Sequence, residues 1–258
     1  MKKLVFKKNR ILLDSSDKII LYDYFDSNND QIIIFFHGCC GSAYDKDETT
    51  YQKLCNLFYP EFDCALYESS RFLRKYQLSS DYDFNNFAVE AFKDKSFEDE
   101  MLEADIFLNK ILSRKKYKKI IFVGFSMGGL IASILSKKYN ASFVFLFGSA
   151  SYFQVEENLP VIGSLIERNR IRNKMSSVLV NTKAKIYMVR GSLDDTALQD
   201  NFDELASFFP KGKVKEKVVW EGVDHRFKSR NEMIDEELID EIKKFIMNKD
   251  YYKIAKKE

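Results

Sequence analysis

Ser126 lies between two glycines in the segment GFSMG, residues 124–128, and its setting points more directly to chemistry than that of any other residue. The segment follows the apolar run Ile120–Val123 and precedes a helical pattern, so we expect a sharp turn between a strand and a helix. On such a turn a serine hydroxyl is exposed, and the glycines leave room for closely packed backbone. A glycine-rich turn whose serine only caps the helix is the alternative. The flanking strand and helix patterns favour a nucleophile.

A serine hydroxyl is a weak nucleophile until a base takes its proton, and the chain has only two histidines. His37 follows the apolar run Ile32–Phe36, whereas His225 follows the last predicted strand and precedes the last predicted helix. The loop that carries His225 should therefore open at the same sheet edge as Ser126. We expect His225 to be the base and His37 to brace a turn by hydrogen bonding.

The base needs an acid that holds its tautomer and stabilises the imidazolium. Asp194 and Asp195 follow the strand that precedes the strand of His225, again at the carboxyl edge of the sheet. Asp195 suits a turn or a helix cap, which leaves Asp194 to face the histidine. Asp224 is disfavoured because adjacent residues of an extended loop point apart. The order Ser126, Asp194, His225 is the nucleophile–acid–base order of the fold that uses this turn.

Short apolar runs alternate with longer amphipathic stretches, which predicts an α/β protein with parallel strands joined by helices. Six runs are predicted strands: Ile32–Phe36, Cys64–Tyr67, Ile120–Val123, Phe143–Phe147, Ile186–Val189 and Val214–Trp220. Several of them are continuous apolar runs, which is typical of a parallel sheet buried on both faces. Three shorter runs are predicted to be partly exposed, antiparallel edge strands: Leu4–Lys7, Ile11–Leu13 and Lys18–Phe25. Predicted helices follow the capping box at Ser96 and cover Met127–Tyr139, Leu198–Phe209 and Glu232–Met247.

The absence of a linker or an internal repeat favours one domain over residues 1–258. Residues 68–95 and 150–183 do not fit the alternation, and both lie beyond the carboxyl ends of strands, where open α/β sheets bind ligands. We expect them to form substrate-site walls or a small cap. In the first of these segments, Arg71, Arg74 or Lys75 either meets an anionic group of a substrate or is simply solvated.

Four motifs, in order, resemble those of the α/β-hydrolase superfamily: His37-Gly38, GFSMGG at 124–129, GSLD at 191–194 and GVDH at 222–225. The resemblance covers nearly the whole chain. It implies the α/β-hydrolase fold, with a mostly parallel central sheet of about eight strands and helices on both faces. The compact size resembles small bacterial carboxylesterases and acyl hydrolases of the monoacylglycerol-lipase and feruloyl-esterase kind.

This resemblance implies a serine hydrolase that forms an acyl-enzyme on Ser126 and cleaves a small-molecule acyl ester without a metal or an organic cofactor. The backbone N–H groups of Cys39 and Met127 are the expected oxyanion hole. Thioesterases and peptidases use the same groups, so both remain alternatives. A non-catalytic binding protein is less favoured because all three triad members are present. Related dehalogenases and epoxide hydrolases carry aspartate in place of Ser126.

Composition argues against other classes of partner. The 41 Lys and Arg residues nearly balance the 39 Asp and Glu residues, so the net charge of +2 predicts no nucleic-acid binding. No segment reaches the roughly 18 consecutive apolar residues of a membrane helix, and the N-terminal apolar run is too short for a signal peptide. We therefore expect a cytoplasmic protein. Cys39, Cys40, Cys55 and Cys64 form no C-x-x-C pair, which argues against a metal finger or a disulfide framework.

Overall fold

The computed structural model describes residues 3–13, 18–39, 42–44, 48–71, 95–153, 168–227 and 235–248, and it places eight β-strands in one sheet. The strands are β1 (Asn9–Leu12), β2 (Ile19–Phe25), β3 (Gln31–Phe36), β4 (Asp63–Glu68), β5 (Lys119–Phe125), β6 (Phe143–Phe147), β7 (Lys185–Gly191) and β8 (Val214–Trp220). Their order across the sheet is β1-β2-β4-β3-β5-β6-β7-β8. β2 is antiparallel to both of its neighbours, and all other neighbouring strands are parallel. The predicted mostly parallel sheet is confirmed.

Six α-helices lie within the described residues: α1 (Thr50–Phe58), α2 (Phe97–Leu112), α3 (Met127–Lys138), α4 (Arg168–Leu179), α5 (Gln199–Ser207) and α6 (Asp235–Met247). The predicted capping box before α2 is confirmed, because Ser96 Oγ accepts the Asp99 N–H and Asp99 Oδ2 accepts the Ser96 N–H. A second capping box, formed by Thr49 and Gln52, begins α1. The sequence analysis did not predict α1.

The helices cover both faces of the sheet, and the side chains of β3 alternate between the apolar clusters on the two faces. Alternate residues Ile32, Ile34 and Phe36 belong to one apolar cluster, and the residues between them belong to the other. Helices α2, α3, α4 and α5 contribute to the first cluster, and α1 and α6 contribute to the second. The six predicted strands are confirmed as β3 to β8. Strands β3 to β7 are buried on both faces and mostly apolar, whereas β8, at the edge of the sheet, alternates between half-buried and exposed residues.

The prediction of a strand at Leu4–Lys7 is wrong. The backbone there joins no neighbouring strand, and side chains accept two of its N–H groups. The Leu4 N–H donates to Asn56 Oδ1 at 2.8 Å, and the Lys7 N–H donates to Asp23 Oδ1 at 2.8 Å. The other two predicted edge strands correspond to β1 and β2.

The two predicted wall segments are only partly within the described residues. Residues 72–94 and 154–167 lie outside them, so the predicted cap and the expectations for Arg74 and Lys75 stay untested. Helix α4 occupies the end of the second segment. In the part of the chain that is described, no helix is both long and apolar enough to cross a membrane.

Candidate active site

Ser126 occupies the turn between β5 and α3 with φ 52° and ψ −124°, a conformation that costs a non-glycine residue energy. Hydrogen bonds on both sides of the residue hold the turn. The Ser126 N–H donates to the Phe147 carbonyl at 2.8 Å, and Ser149 Oγ donates to the Ser126 carbonyl at 2.9 Å. The strain is therefore balanced by contacts with β6 and the loop that follows it.

The glycines around Ser126 are required by close backbone packing. A Cβ on Gly124 would lie 2.4 Å from the Cα of Gly129, and a Cβ on Gly128 would lie 2.4 Å from the Phe36 carbonyl oxygen. Both distances are shorter than real Cβ contacts allow. Glycine at these positions lets the end of β3 pass directly beside the first turn of α3.

His225 lies in the loop after β8, and its two ring nitrogens connect Ser126 with Asp194. Nε2 is 3.0 Å from Ser126 Oγ, and Nδ1 is 2.9 Å from both carboxylate oxygens of Asp194. An ionised carboxylate only accepts hydrogen bonds, so the proton of a neutral ring is on Nδ1. Nε2 then carries the lone pair and faces the serine hydroxyl.

Asp194 is fixed by its own loop after β7. Its Oδ1 accepts the N–H groups of Thr196 at 3.0 Å and Ala197 at 2.7 Å, and its side chain is fully buried. The Arg190 guanidinium donates to the carbonyl oxygens of Asp194 and Ala197, both at 2.6 Å, and so holds the loop closed. These contacts leave the carboxylate directed at the histidine.

The described hydrogen bonds of the two neighbouring aspartates go to groups other than the histidine ring. Asp224 accepts the Arg226 N–H at 2.9 Å, as in a tight turn. Asp195 is exposed and accepts only the Thr196 hydroxyl, at 3.3 Å, among its described hydrogen bonds. Of the two roles expected of Asp195, a turn or a helix cap, the helix cap is wrong, because α5 begins at Gln199 and its N-cap is Leu198.

Of the two expected oxyanion donors, one follows Ser126 directly and the other follows a glycine that packs on Ser126. Met127 is the first residue of α3, where a backbone N–H has no partner within the helix. Cys39 follows Gly38, whose backbone packs so closely on the nucleophile that an added Cβ would lie 3.2 Å from Ser126 Cβ. The neighbouring residues Cys40 and Gly41 lie outside the described residues.

His37 is buried away from the serine, and its ring contacts backbone. Nε2 accepts the Ser69 N–H at 3.3 Å, so a neutral ring carries its proton on Nδ1, which is 2.9 Å from the Gly38 carbonyl oxygen. Burial, reinforced by the charge of Arg71, lowers the pKa of His37 to about 3. This ring stays neutral at physiological pH and braces the turn after β3.

A buried group of charged residues next to His37 was not predicted. The group consists of Arg71, Lys95, Glu100 and Glu103. Arg71 is fully buried and pairs with Glu100 at 2.7 Å, so the expectation that it is solvated or meets a substrate anion is wrong. A signal was present in the sequence, because both glutamates recur at helical spacing on the face of α2 that also carries Phe107 and Ile111.

Within the described residues, no group of three or more histidine, cysteine, aspartate or glutamate side chains could hold a metal ion. The site itself offers three hydrogen-bonded groups: a hydroxyl, an imidazole directed at it and a carboxylate behind the ring. This combination can take a proton from the hydroxyl as its oxygen attacks an electrophile.

Strand order, the turn after β5 and the placement of helices on both faces are those of the α/β-hydrolase fold. A family described as "Serine aminopeptidase, S33" matches residues 92–223, just over half of the chain. The chain belongs to this family. The match includes Ser126 and Asp194 and ends two residues before His225. No curated protein sequence matches the chain.

Solved structures of low sequence identity share the fold over most of the chain. A soluble variant of monoglyceride lipase from Saccharomyces cerevisiae has a TM-score of 0.65 and 12% identity, covering 94% of this chain and 95% of the lipase chain. A structure from work on carboxylesterases of Nitrososphaera gargenis has a TM-score of 0.61 and 13% identity, covering 96% and 99%. At these identities the likeness is evidence for the fold alone.

Proposed function

We propose that the protein is a serine hydrolase that cleaves a carboxylic ester of a small or medium acyl substrate through Ser126, His225 and Asp194. The observation that supports it best is the continuous hydrogen-bonded chain from the Ser126 hydroxyl through both nitrogens of His225 to the buried Asp194 carboxylate. The strained turn presents the serine at the carboxyl edge of the sheet. The same groups in the same order act in serine hydrolases of several unrelated folds.

In the proposed reaction, Ser126 Oγ attacks the acyl carbonyl carbon as His225 Nε2 takes the hydroxyl proton. Asp194 holds the Nδ1 proton and stabilises the imidazolium that forms. Collapse of the tetrahedral intermediate expels the alcohol, which receives the proton from Nε2. His225 then takes a proton from water as the water oxygen attacks the acyl-enzyme, and the acid leaves as Ser126 regains its proton.

The tetrahedral oxygen in this mechanism accepts hydrogen bonds from the backbone N–H groups of Met127 and Cys39. Both donors are fixed before substrate arrives, because one begins α3 and the other follows a turn packed on Ser126. Preorganised donors of this kind contribute about 3 kcal/mol each to transition-state stabilisation. No metal or organic cofactor is needed in this scheme.

One contact in the site and the description of the matched family bear on which type of bond is cleaved. The Phe153 ring lies 6.0 Å from the His225 ring, centroid to centroid, and gives the site an apolar wall that suits an acyl group. The family description, serine aminopeptidase, supports peptide-bond cleavage as a second candidate. A thioester would undergo the same steps.

A substrate panel tests this proposal. Turnover is measured with p-nitrophenyl acetate, butyrate and octanoate, with butyryl-CoA and with alanine p-nitroanilide, for the wild type and for Ser126→Ala. We expect the esters to be hydrolysed fastest and Ser126→Ala to lose activity on every substrate. Faster cleavage of the anilide than of every ester would replace the esterase proposal with the peptidase. Equal activity of the wild type and Ser126→Ala would refute the proposed nucleophile.

A further inference from the structure

We propose that Arg71 and His37 are positioning residues that aim the backbone N–H of Cys39 at the oxyanion. The inference rests on the proposed function and adds to it the part of the protein that holds the oxyanion hole in place. It concerns a buried network of ionised side chains behind the turn after β3, which has no part in the proton transfers between Ser126 and His225.

Arg71 and His37 both donate hydrogen bonds to one acceptor, the Gly38 carbonyl oxygen. Arg71 Nη2 is 3.0 Å from this oxygen, and His37 Nδ1 is 2.9 Å from it. Nδ1 is the only ring nitrogen that faces an acceptor, because Nε2 faces the Ser69 N–H, and this places the ring proton on Nδ1. Arg71 Nη2 lies 3.1 Å from Nδ1 and directs its own hydrogen bond to the Gly38 oxygen. The Gly38 carbonyl therefore accepts two fixed donors, one of which carries a full charge.

That carbonyl belongs to the same peptide group as the Cys39 N–H. The peptide is planar and trans, so its C=O and N–H bonds point in opposite directions. Holding the oxygen toward Arg71 and His37 thus directs the N–H to the other side of the chain. Gly38 itself packs on Ser126, with an added Cβ at 3.8 Å from Oγ, so the peptide lies within reach of the reacting carbonyl.

A charged donor on the oxygen also strengthens the amide as a donor. Hydrogen bonds in series polarise each other, and bonds from an ionised group are stronger than neutral ones. The Arg71 guanidinium therefore pulls electron density from the Gly38–Cys39 peptide group and makes the Cys39 N–H a better donor to a developing negative charge. The effect is largest in a buried setting, where solvent does not compete.

The other ionised residues keep Arg71 in place. Arg71 Nη1 pairs with Glu100 at 2.7 Å, and neither side chain has any exposed surface. Lys95 pairs with Glu100 at 3.1 Å and with Glu103 at 2.5 Å. Two cations and two carboxylates balance within this cluster. Buried ion pairs contribute little net stability because both charges are desolvated on folding. A positioning role accounts for a network that stability alone explains poorly.

The first test compares His37→Asn with His37→Gln, in which a side-chain amide replaces the ring. The asparagine nitrogen can take the place of Nδ1 and donate to the Gly38 carbonyl, whereas the longer glutamine places its amide nearer to Nε2. With p-nitrophenyl butyrate we expect His37→Asn to retain kcat within about threefold. We expect His37→Gln to lose at least tenfold, because it lacks the donor. Equal kcat values for the two folded variants would overturn the inference.

The second test uses the double variant Arg71→Met with Glu100→Gln. Both charges of the pair are removed together, so neither residue leaves an unpaired charge. The matched control is Lys115→Met with Asp63→Asn, a pair at 2.6 Å beside β4 at the opposite end of the sheet. Both double variants are followed by thermal unfolding. We expect the first to lower kcat by at least tenfold and the control to leave kcat within twofold, whatever the loss of stability.

Two readouts separate positioning from a general structural effect. Butaneboronic acid forms a tetrahedral adduct with the serine and puts an oxygen in the oxyanion hole, so its Ki should rise by the same factor as kcat falls. The midpoint of the pH profile of kcat/KM should not move, because His225 and Asp194 are unchanged. An unchanged Ki in variants with lowered kcat would refute the inference.

The outcomes distinguish this inference from the proposed function. A wild-type protein that hydrolyses p-nitrophenyl butyrate, together with variants of unaltered kcat and Ki, would refute the positioning role alone. A wild-type protein with neither turnover nor boronate binding would refute the proposed function and the positioning role together. If the Arg71 double variant does not fold, the comparison of His37→Asn with His37→Gln tests the positioning role by itself.

Discussion

The two histidines of this chain follow two strands of the same sheet and lie in different surroundings. His225 is partly exposed and lies between a hydroxyl and a carboxylate, so its ring has a lone pair to give and an acid to support the resulting cation. His37 is buried between two backbone groups and beside Arg71, where a positive charge on the ring is unfavourable. The surroundings of His37 oppose a charge on its ring, whereas the groups around His225 fit the proton transfer of the proposed mechanism.

The groups around each histidine therefore determine its role more than its position in the fold does. In both rings Nδ1 faces an acceptor, the Gly38 carbonyl oxygen for His37 and the Asp194 carboxylate for His225, so this side of the ring does not separate them. The Nε2 atom of His225 faces the hydroxyl of Ser126, whose proton can be transferred. The Nε2 atom of His37 faces the backbone N–H of Ser69, whose proton stays in place. The first arrangement supports proton transfer, and the second supports a rigid turn.

Replacement of His225 should have the largest effect. We expect His225→Ala to lower kcat for p-nitrophenyl butyrate by roughly 10⁵-fold, because the serine then has no base. Steady-state assays with thermal unfolding as a control for folding would measure it. A loss below tenfold in folded protein would break the contrast between the two histidines.

Asp194→Asn should have the next largest effect, and it tests the acid behind the exposed ring. The amide can donate to Nδ1, which would move the ring proton to Nε2 and leave no lone pair for Ser126. We expect kcat to fall by roughly 10³–10⁴-fold with the fold intact. Asp195→Asn is the matched control, and full activity of Asp194→Asn would assign the acid elsewhere.

The buried region should affect stability rather than proton transfer, and Glu68 at the end of β4 offers the test. Its Oε2 accepts the Ser42 hydroxyl at 2.8 Å and the Tyr44 N–H at 3.0 Å, yet burial raises the pKa of Glu68 from 4.5 to about 8. The folded state therefore holds this proton more tightly than the unfolded state. The free energy of unfolding falls as pH rises from about 4.5 to about 8 and loses no more from this group above that.

Glu68→Gln removes this ionisation, so the variant should lack the corresponding slope. Between pH 5 and pH 8.5, we expect the wild type to lose on the order of 3 kcal/mol more unfolding free energy than Glu68→Gln does. Urea unfolding at the two pH values measures the difference. Glu236→Gln, an exposed position on α6, is the control and should follow the wild type. Parallel pH dependences for wild type and Glu68→Gln would contradict the raised pKa.

The smallest effect is expected for the thiols near the oxyanion hole. In the proposed mechanism Cys39 acts through its backbone N–H, so Cys39→Ser should retain kcat within about threefold. The same holds for Cys40→Ser, whose position lies outside the described residues. Ester turnover of the two folded variants checks this. A thousandfold loss from either would assign a chemical role to a thiol.

The central strands and the groups around Ser126 could be predicted because each depends on a local pattern. Strands buried on both faces are continuous apolar runs, and the carboxyl ends of parallel strands meet at one edge, so Ser126, Asp194 and His225 were expected to meet there. Only a hydrogen-bonded arrangement in three dimensions shows which aspartate contacts the ring.

Three other features were predicted wrongly or not at all, although the first of them has a recognisable pattern in the sequence. Helix α1 carries Tyr51, Leu54, Cys55 and Phe58 at helical spacing, so its pattern was present in the sequence. Leu4–Lys7 begins with a short apolar run like that of a strand, but Asn56 and Asp23 accept hydrogen bonds that a neighbouring strand would need. The Arg71 network joins residues from separate segments, and charged residues on a helix usually face solvent.

The most direct test of the central claim is mass-spectrometric mapping of the adduct formed by a fluorophosphonate probe on the folded wild-type protein. The proposed mechanism predicts one adduct, on Ser126, because among the described residues this is the hydroxyl that His225 Nε2 faces. Ser126→Ala should carry no adduct. An unlabelled wild-type protein, or a main adduct on a residue other than Ser126, would contradict the claim.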